Sequence, residues 1–231
     1  MSVRPRVLLF DLDGTLVSTG GAGRRAMIAA MVEVVDAADA FEGFNFAGMT
    51  DRSIVRAGIT KARGAATNAD IDRVLDAYLP RLESELASTP HYRVFPGVSD
   101  VVHEVTRAGP GVAVGLGTGN VKRGAYAKLA RSALGSAFSF GGFGCDAEDR
   151  TELIRTGASR GAEALGEPLA ACRVIVIGDT PRDVAAARGI GAACLAVATG
   201  PYTRAQLQEA GADWCFETLE GPEAAEILLG S

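Results

Sequence analysis

Histidine, tryptophan and cysteine are scarce in this chain, and no apolar run is long. Only His91 and His103 could serve as imidazole bases or ligands. Neither lies in a patterned motif, so both read as surface or linker residues. The four cysteines, Cys145, Cys172, Cys194 and Cys215, are scattered without a C-x-x-C pair. That excludes a zinc site and a disulfide framework, and it predicts buried free thiols in a reducing cytoplasm. The longest apolar runs fall far short of the roughly 20 residues a membrane helix needs. Met1 to Arg6 passes directly into an apolar strand pattern, with no leader-like segment expected. With 23 basic against 28 acidic residues, the net charge of -5 makes a general nucleic-acid binder a poor match. Nothing in the pattern speaks to oligomeric state. Internal repeats and low-complexity tracts are absent.

What is present starts with RVLLFDLDGT, Arg6 to Thr15. Val7 to Phe10 is a short, continuous apolar run that suits a central parallel strand buried on both faces. Asp11 ends the run and Asp13 follows on the same side of the extended chain. Two carboxylates held that close at the mouth of an apolar core repel each other, and each is costly to desolvate alone. A cation relieves both costs, and oxygen ligands in a cleft suit Mg²⁺. An EF-hand loop fits worse, because a strand precedes the acids and the third ligand position is missing.

Glycines 20, 21 and 23 follow without forming a dinucleotide fingerprint. Three helical stripes come next, through Met27–Ala38, Ile54–Ala62 and Ile71–Leu86. Between the first two, Thr50 is a natural N-cap. The alternative reading has Gly48, Thr50 and Arg52 facing a cleft, where Arg52 suits an anionic group. Pro90 and the Pro96-Gly97 pair mark joints beyond the helical block, after which strands and helices alternate. A helix over 98–107 and a strand over 112–116 lead into GTGN. There Thr118, Gly119 and Asn120 can offer a hydroxyl and backbone N–H groups to phosphate oxygens; Asn120 can equally be a helix cap. Residues 138–143 read as a short glycine-rich strand, and Arg150 precedes a helix over 151–165. Arg173–Ile177 is a second strongly apolar strand, ending in GDTPRD. Thr180, Pro181 and Asp183 make a good helix start, which accounts for Asp183 but not for Asp179. Residues 192–197 and 212–216 are further strands, the last a candidate edge strand. Residues 217–231 carry no motif.

FDLDGT, GTGN and GDTPRD together resemble the motifs of the haloacid-dehalogenase-like hydrolases, helical-cap members similar to phosphoglycolate phosphatase. The resemblance implies an α/β fold, a doubly wound, mostly parallel sheet with a small all-α cap inserted after the first strand. Residues 1–17 and 92–231 would form the core and 18–91 the cap. It implies a cytoplasmic, Mg²⁺-dependent phosphatase acting on a small phosphorylated metabolite. Asp11 would be the nucleophile and Asp13 the general acid and base. Asp11, the Asp13 main-chain carbonyl, Asp179 and Asp183 would hold the metal, Asp183 through water or by orienting the site. Thr118 and Arg150 would hold the phosphoryl oxygens, with Gly14, Gly119 and Asn120 around the substrate. The chain departs from the family at the third motif, where a Lys is usual and this sequence has EDRTEL; Lys122 is the reserve for Arg150. Dehalogenation needs neither metal nor an acid at Asp13. A sugar-phosphate mutase of the β-phosphoglucomutase type usually carries adjacent acids where Asp179 and Asp183 are spaced. A phosphonate hydrolase would need a special cap lysine, and nothing marks Lys61. A non-catalytic phospho-acceptor module would be shorter and lack the helical insertion.

Overall fold

The computed structural model describes residues 4–230. Six parallel strands form one sheet in the order β5-β4-β1-β6-β7-β8. They are β1 (Arg6–Phe10), β4 (Val112–Thr118), β5 (Gly141–Phe143), β6 (Arg173–Gly178), β7 (Ala193–Val197) and β8 (Trp214–Phe216). Val7 to Phe10 of β1 are fully buried, as the unbroken apolar run requires. Its side chains alternate between two layers. Leu8 and Phe10 pack with α4 (Val98–Arg107), α5 (Lys122–Leu129) and α9 (Glu223–Leu229). Val7 and Leu9 pack with α6 (Arg150–Leu165) and α7 (Pro181–Gly189). Helices on both faces make the sheet doubly wound. Each fully buried aliphatic or Phe side chain contributes about 1.5–3 kcal/mol, which is why the most apolar strand is central.

Between β1 and β4 the chain forms α1 (Ala22–Val35), α2 (Asp51–Arg63) and α3 (Asn68–Ser88). These helices share a separate apolar cluster that includes Met27, Met31, Ile59, Ile71 and Leu82. The chain leaves and re-enters the sheet domain through a small antiparallel pair, β2 (Val17–Ser18) with β3 (Arg93–Val94). α1 stops at Asp36, which adopts a left-handed conformation with φ 58, so Ala38 lies beyond the helix. Thr67 caps α3 in a reciprocal box with Asp70, the third helical residue.

Some elements differ from expectation. The 138–143 strand shortens to Gly141–Phe143 because residues 135–137 form a tight helical turn. The short α8 (Arg204–Glu209), which the sequence pattern does not announce, is set by a Thr203–Gln206 capping box. The tail without a motif supplies α9, whose Ala224, Ala225 and Leu228 enter the core. Cys172, Cys194 and Cys215 are buried free thiols as expected, whereas Cys145 is exposed, lying in the loop after β5. Among the described residues, no helix is long and apolar enough to cross a membrane.

Candidate active site

β1 lies where the winding reverses, with β4 on one side and β6 on the other. Ligand crevices of open parallel sheets form at the carboxyl ends of strands at such a point. Asp11 follows β1, Thr118 ends β4 and Asp179 follows β6. The backbone N–H of Asp11 donates to the Ile177 carbonyl at 2.8 Å, tying the two strand ends together.

Asp11, Asp179 and Asp183 each place a carboxylate oxygen within 4.8 Å of the others, and all three are buried. Burial pushes Asp11 up to about 6, with Arg150 opposing the rise and Asp183 adding to it. Asp179 is held well above the ordinary carboxylate range by burial first, then by Asp183 and Asp11. Thr15 donates its hydroxyl to Asp179 Oδ1 at 3.0 Å. Gly14 has φ +86, and a Cβ there would fall 2.3 Å from Asp179 Oδ2. The turn that follows the second acid of FDLDGT therefore has to be glycine, on conformation and on space. A hard divalent cation fits this cluster. The donors are all carboxylate oxygens gathered in one buried place, which suits a hard ion.

Asp183 is more fully engaged. Its Oδ2 accepts from the Thr180 N–H at 3.0 Å and the Thr180 hydroxyl at 2.7 Å. Its Oδ1 accepts from Arg150 Nε at 2.9 Å and from Nη2. Arg150 Nη2 also lies 3.1 Å from Asp11 Oδ2, and Nη1 donates to the Gly48 carbonyl at 3.3 Å. Burial works against the charge of Arg150, but Asp183 and Asp11 outweigh it, and the net shift is upward. The guanidinium is thus a fixed cation that joins the acid cluster to the 46–49 loop before α2. Lys122 lies on the exposed face of α5, with its ammonium 5.8 Å from the Phe143 ring centroid. It takes no part in the cluster.

Asp13 points to the other side. Its Oδ2 accepts from Asn120 Nδ2 at 2.8 Å and from Lys128 Nζ at 2.5 Å. Lys128 also donates to Asn120 Oδ1 at 2.6 Å. Asn120 Nδ2 is shared with Thr118 Oγ1 at 2.9 Å, which leaves the Thr118 hydroxyl proton available for another acceptor. Asn120 is not the cap of α5; Val121 holds that place without a side-chain bond. These groups line a cavity of about 300 Å³ with Asp11, Gly14, Gly48, Gly119, Arg150 and Asp179. Its far wall is Met27, Phe46, Met49, Ile54 and Tyr78 from the helical unit.

Thr50 and Arg52 lie outside that cavity. Thr50 caps α2 in a reciprocal box with Ser53 and donates its hydroxyl to the Glu148 carbonyl at 3.1 Å. Arg52 pairs with Asp72 at 2.5 Å and with Glu148 at 3.7 Å. Its neighbour Asp51 does face the cavity. The Asp51 carboxylate accepts from the Val121 N–H at 2.9 Å, and burial pushes it up to about 6 against the lowering effect of Lys128. Two lining residues, Lys128 and Asp51, lack a motif that would have singled them out. A usable signal existed for Lys128, since Val121, Gly124, Ala125 and Leu129 mark the inward face of α5 and Lys128 shares their helical spacing.

Residues 5–191 match the family model described as haloacid dehalogenase-like hydrolase. A phosphoglycolate phosphatase of Synechococcus elongatus is 27% identical over 223 residues, covering 92% of this chain and 93% of the relative. Among solved structures, a predicted phosphatase from Clostridium acetobutylicum superposes with a TM-score of 0.70 at 16% identity, covering 99% of this chain and all of that one. CbbY from Rhodobacter sphaeroides, in complex with phosphate, gives 0.68 at 18% identity, covering 94% and 96%. At such identities the structural matches speak to the fold. The family match spans most of the sheet and the whole acid cluster: this chain belongs to the haloacid dehalogenase-like hydrolases.

Proposed function

We propose that the protein is a Mg²⁺-dependent phosphatase that hydrolyses a small phosphate monoester through an aspartyl-phosphate on Asp11. The observation that carries this reading is the convergence of Asp11, Asp179 and the fully buried Asp183 within 4.8 Å of one another, with Asp11 and Asp179 lining a small cavity beside Asp13 and Thr118. The name of the Synechococcus relative and the phosphate in the Rhodobacter structure support it. A cavity of about 300 Å³ sits at the low end of ligand sites, in keeping with a substrate the size of phosphoglycolate. Residues 18–91 serve as the cap that closes over this substrate.

Asp11 and Asp179 would hold the metal, with the Asp13 main-chain carbonyl and with Asp183 orienting the set. When bound, the ion neutralises phosphate charge and keeps Asp11 ionised. Asp11 attacks phosphorus in line, and the bond to the leaving oxygen breaks as the Asp11–phosphorus link forms. Asp13 gives its proton to that oxygen, then takes one from the water that releases phosphate from Asp11. The Thr118 hydroxyl donates to a phosphoryl oxygen. Arg150 supplies fixed positive charge beside the nucleophile. The apolar wall of the cap keeps bulk water from the acyl phosphate.

Turnover of p-nitrophenyl phosphate and a panel of small phosphate esters, with and without Mg²⁺, tests this reading. Activity should require the metal and vanish in Asp11→Asn. Metal-independent turnover, or an Asp11→Asn variant that keeps most of its rate, would refute it.

A further inference from the structure

We propose that Lys128 is a positioning residue for Asp13, fixing which oxygen of that carboxylate carries the proton. The inference rests on the role given to Asp13 above. Lys128 stands on α5, ten residues beyond Thr118, with its side chain only 5% exposed. An ammonium buried to that extent is costly unless it is paired and hydrogen-bonded. Here both conditions are met by site residues: Nζ donates to Asp13 Oδ2 at 2.5 Å and to Asn120 Oδ1 at 2.6 Å. Room for it is made by Gly23 at the start of α1, where a Cβ would come within 3.2 Å of Nζ.

Asp13 needs such help. Asp11 is buried directly at the end of β1, but the Asp13 side chain, two residues farther on, is 43% exposed. Lys128 Nζ and Asn120 Nδ2 both donate to Oδ2. Oδ2 can accept those bonds as a carboxylate oxygen or as the carbonyl oxygen of the protonated acid. The arrangement therefore persists in both states and assigns the travelling proton to Oδ1. In the first half-reaction Oδ1–H passes its proton to the departing oxygen as the phosphorus–oxygen bond breaks. In the second, Oδ1 takes a proton from water as the water oxygen bonds to phosphorus and Asp11 leaves.

The test compares Lys128→Met, Asp13→Asn and the double variant with p-nitrophenyl phosphate and Mg²⁺, alongside thermal unfolding. Losing the positioning of a reacting group costs about 10- to 100-fold in rate. Lys128→Met should lower kcat by that factor and leave KM within about twofold, and the double variant should be no slower than Asp13→Asn alone. Lys128→Gln keeps an uncharged donor in the slot, and its kcat should fall between Lys128→Met and wild type, which covers the case of a poorly folding Lys128→Met. A raised KM at unchanged kcat would mean that Lys128 meets the substrate instead, and would overturn the proposal. So would losses that multiply in the double variant, or an unchanged kcat in both single Lys128 variants. If these variants are inert changes while Asp11→Asn is dead, only this inference falls. If Asp11→Asn remains active, the functional reading fails and takes the inference with it.

Discussion

Replacing Arg150 by Met removes the one guanidinium that lies against both Asp11 and Asp183 while keeping a long side chain in its place. Asp183 is fully buried and loses two donors on Oδ1, and Asp11 loses its nearest cation. Removing one partner of a buried pair costs about 3–5 kcal/mol, since the remaining charge stays desolvated. For a chain of this size each kcal/mol shifts Tm by about 2–4 °C, so a drop of roughly 6–20 °C is expected without metal at pH 8. The pH dependence carries a definite sign. Asp11 is already raised to about 6 in the fold and Asp179 well above its usual range, and Arg150 restrains both. Without it their folded pKa values rise further, the native state binds more protons than the unfolded chain, and stability falls as pH climbs from about 4 upward. The deficit should therefore be smaller at pH 5 than at pH 8. Mg²⁺ at about a hundredfold over its Kd should return about 2.7 kcal/mol by mass action. Calorimetric scans of wild type and Arg150→Met at pH 5 and 8, with and without Mg²⁺, measure all three effects. A Tm within about 2 °C of wild type at pH 8, an equal loss at both pH values, or no response to Mg²⁺ would refute the reasoning.

Asp51→Asn should remove a stability gradient: raised from 3.8 to about 6, Asp51 costs the fold about 3 kcal/mol once ionised. Denaturant titrations should show wild type losing stability from pH 4 to 6.5 more steeply than the variant; parallel curves would count against this. Gly14→Ala should abolish turnover and destabilise the fold by at least about 1 kcal/mol, because its φ is +86 and the new Cβ would overlap Asp179 Oδ2; an active Gly14→Ala enzyme would contradict that geometry. Glu148→Gln should loosen the helical unit's hold on the sheet domain, since Glu148 accepts from Arg56 Nε at 2.8 Å and Nη2 at 2.6 Å. Amides of α2 should exchange faster, and unchanged exchange would argue that the ion pair is idle. Ellman's reagent should find one reactive thiol in the native protein, Cys145, and four after denaturation; native labelling of Cys194 would mean that β7 is not packed as described.

The residues themselves determined the sheet and the acid cluster, because both are written in local pattern. An unbroken apolar run such as Val7–Phe10 can only be central, and an acid at the end of such a run has no structural excuse. Thr180, Pro181 and Asp183 likewise announced α7 by their spacing alone. Tertiary structure decided the rest, wherever a side chain's partner is distant in sequence. Arg52 looked suited to an anion but is occupied by Asp72 and Glu148, while the next residue, Asp51, turns into the cavity. Lys128 reads as an ordinary helical lysine until α5 is docked, which brings its ammonium across 115 residues of sequence to Asp13. Periodicity tells which way a side chain faces along its own helix. What it meets there depends on how the layers stack, and at this site that contact sets the charge balance.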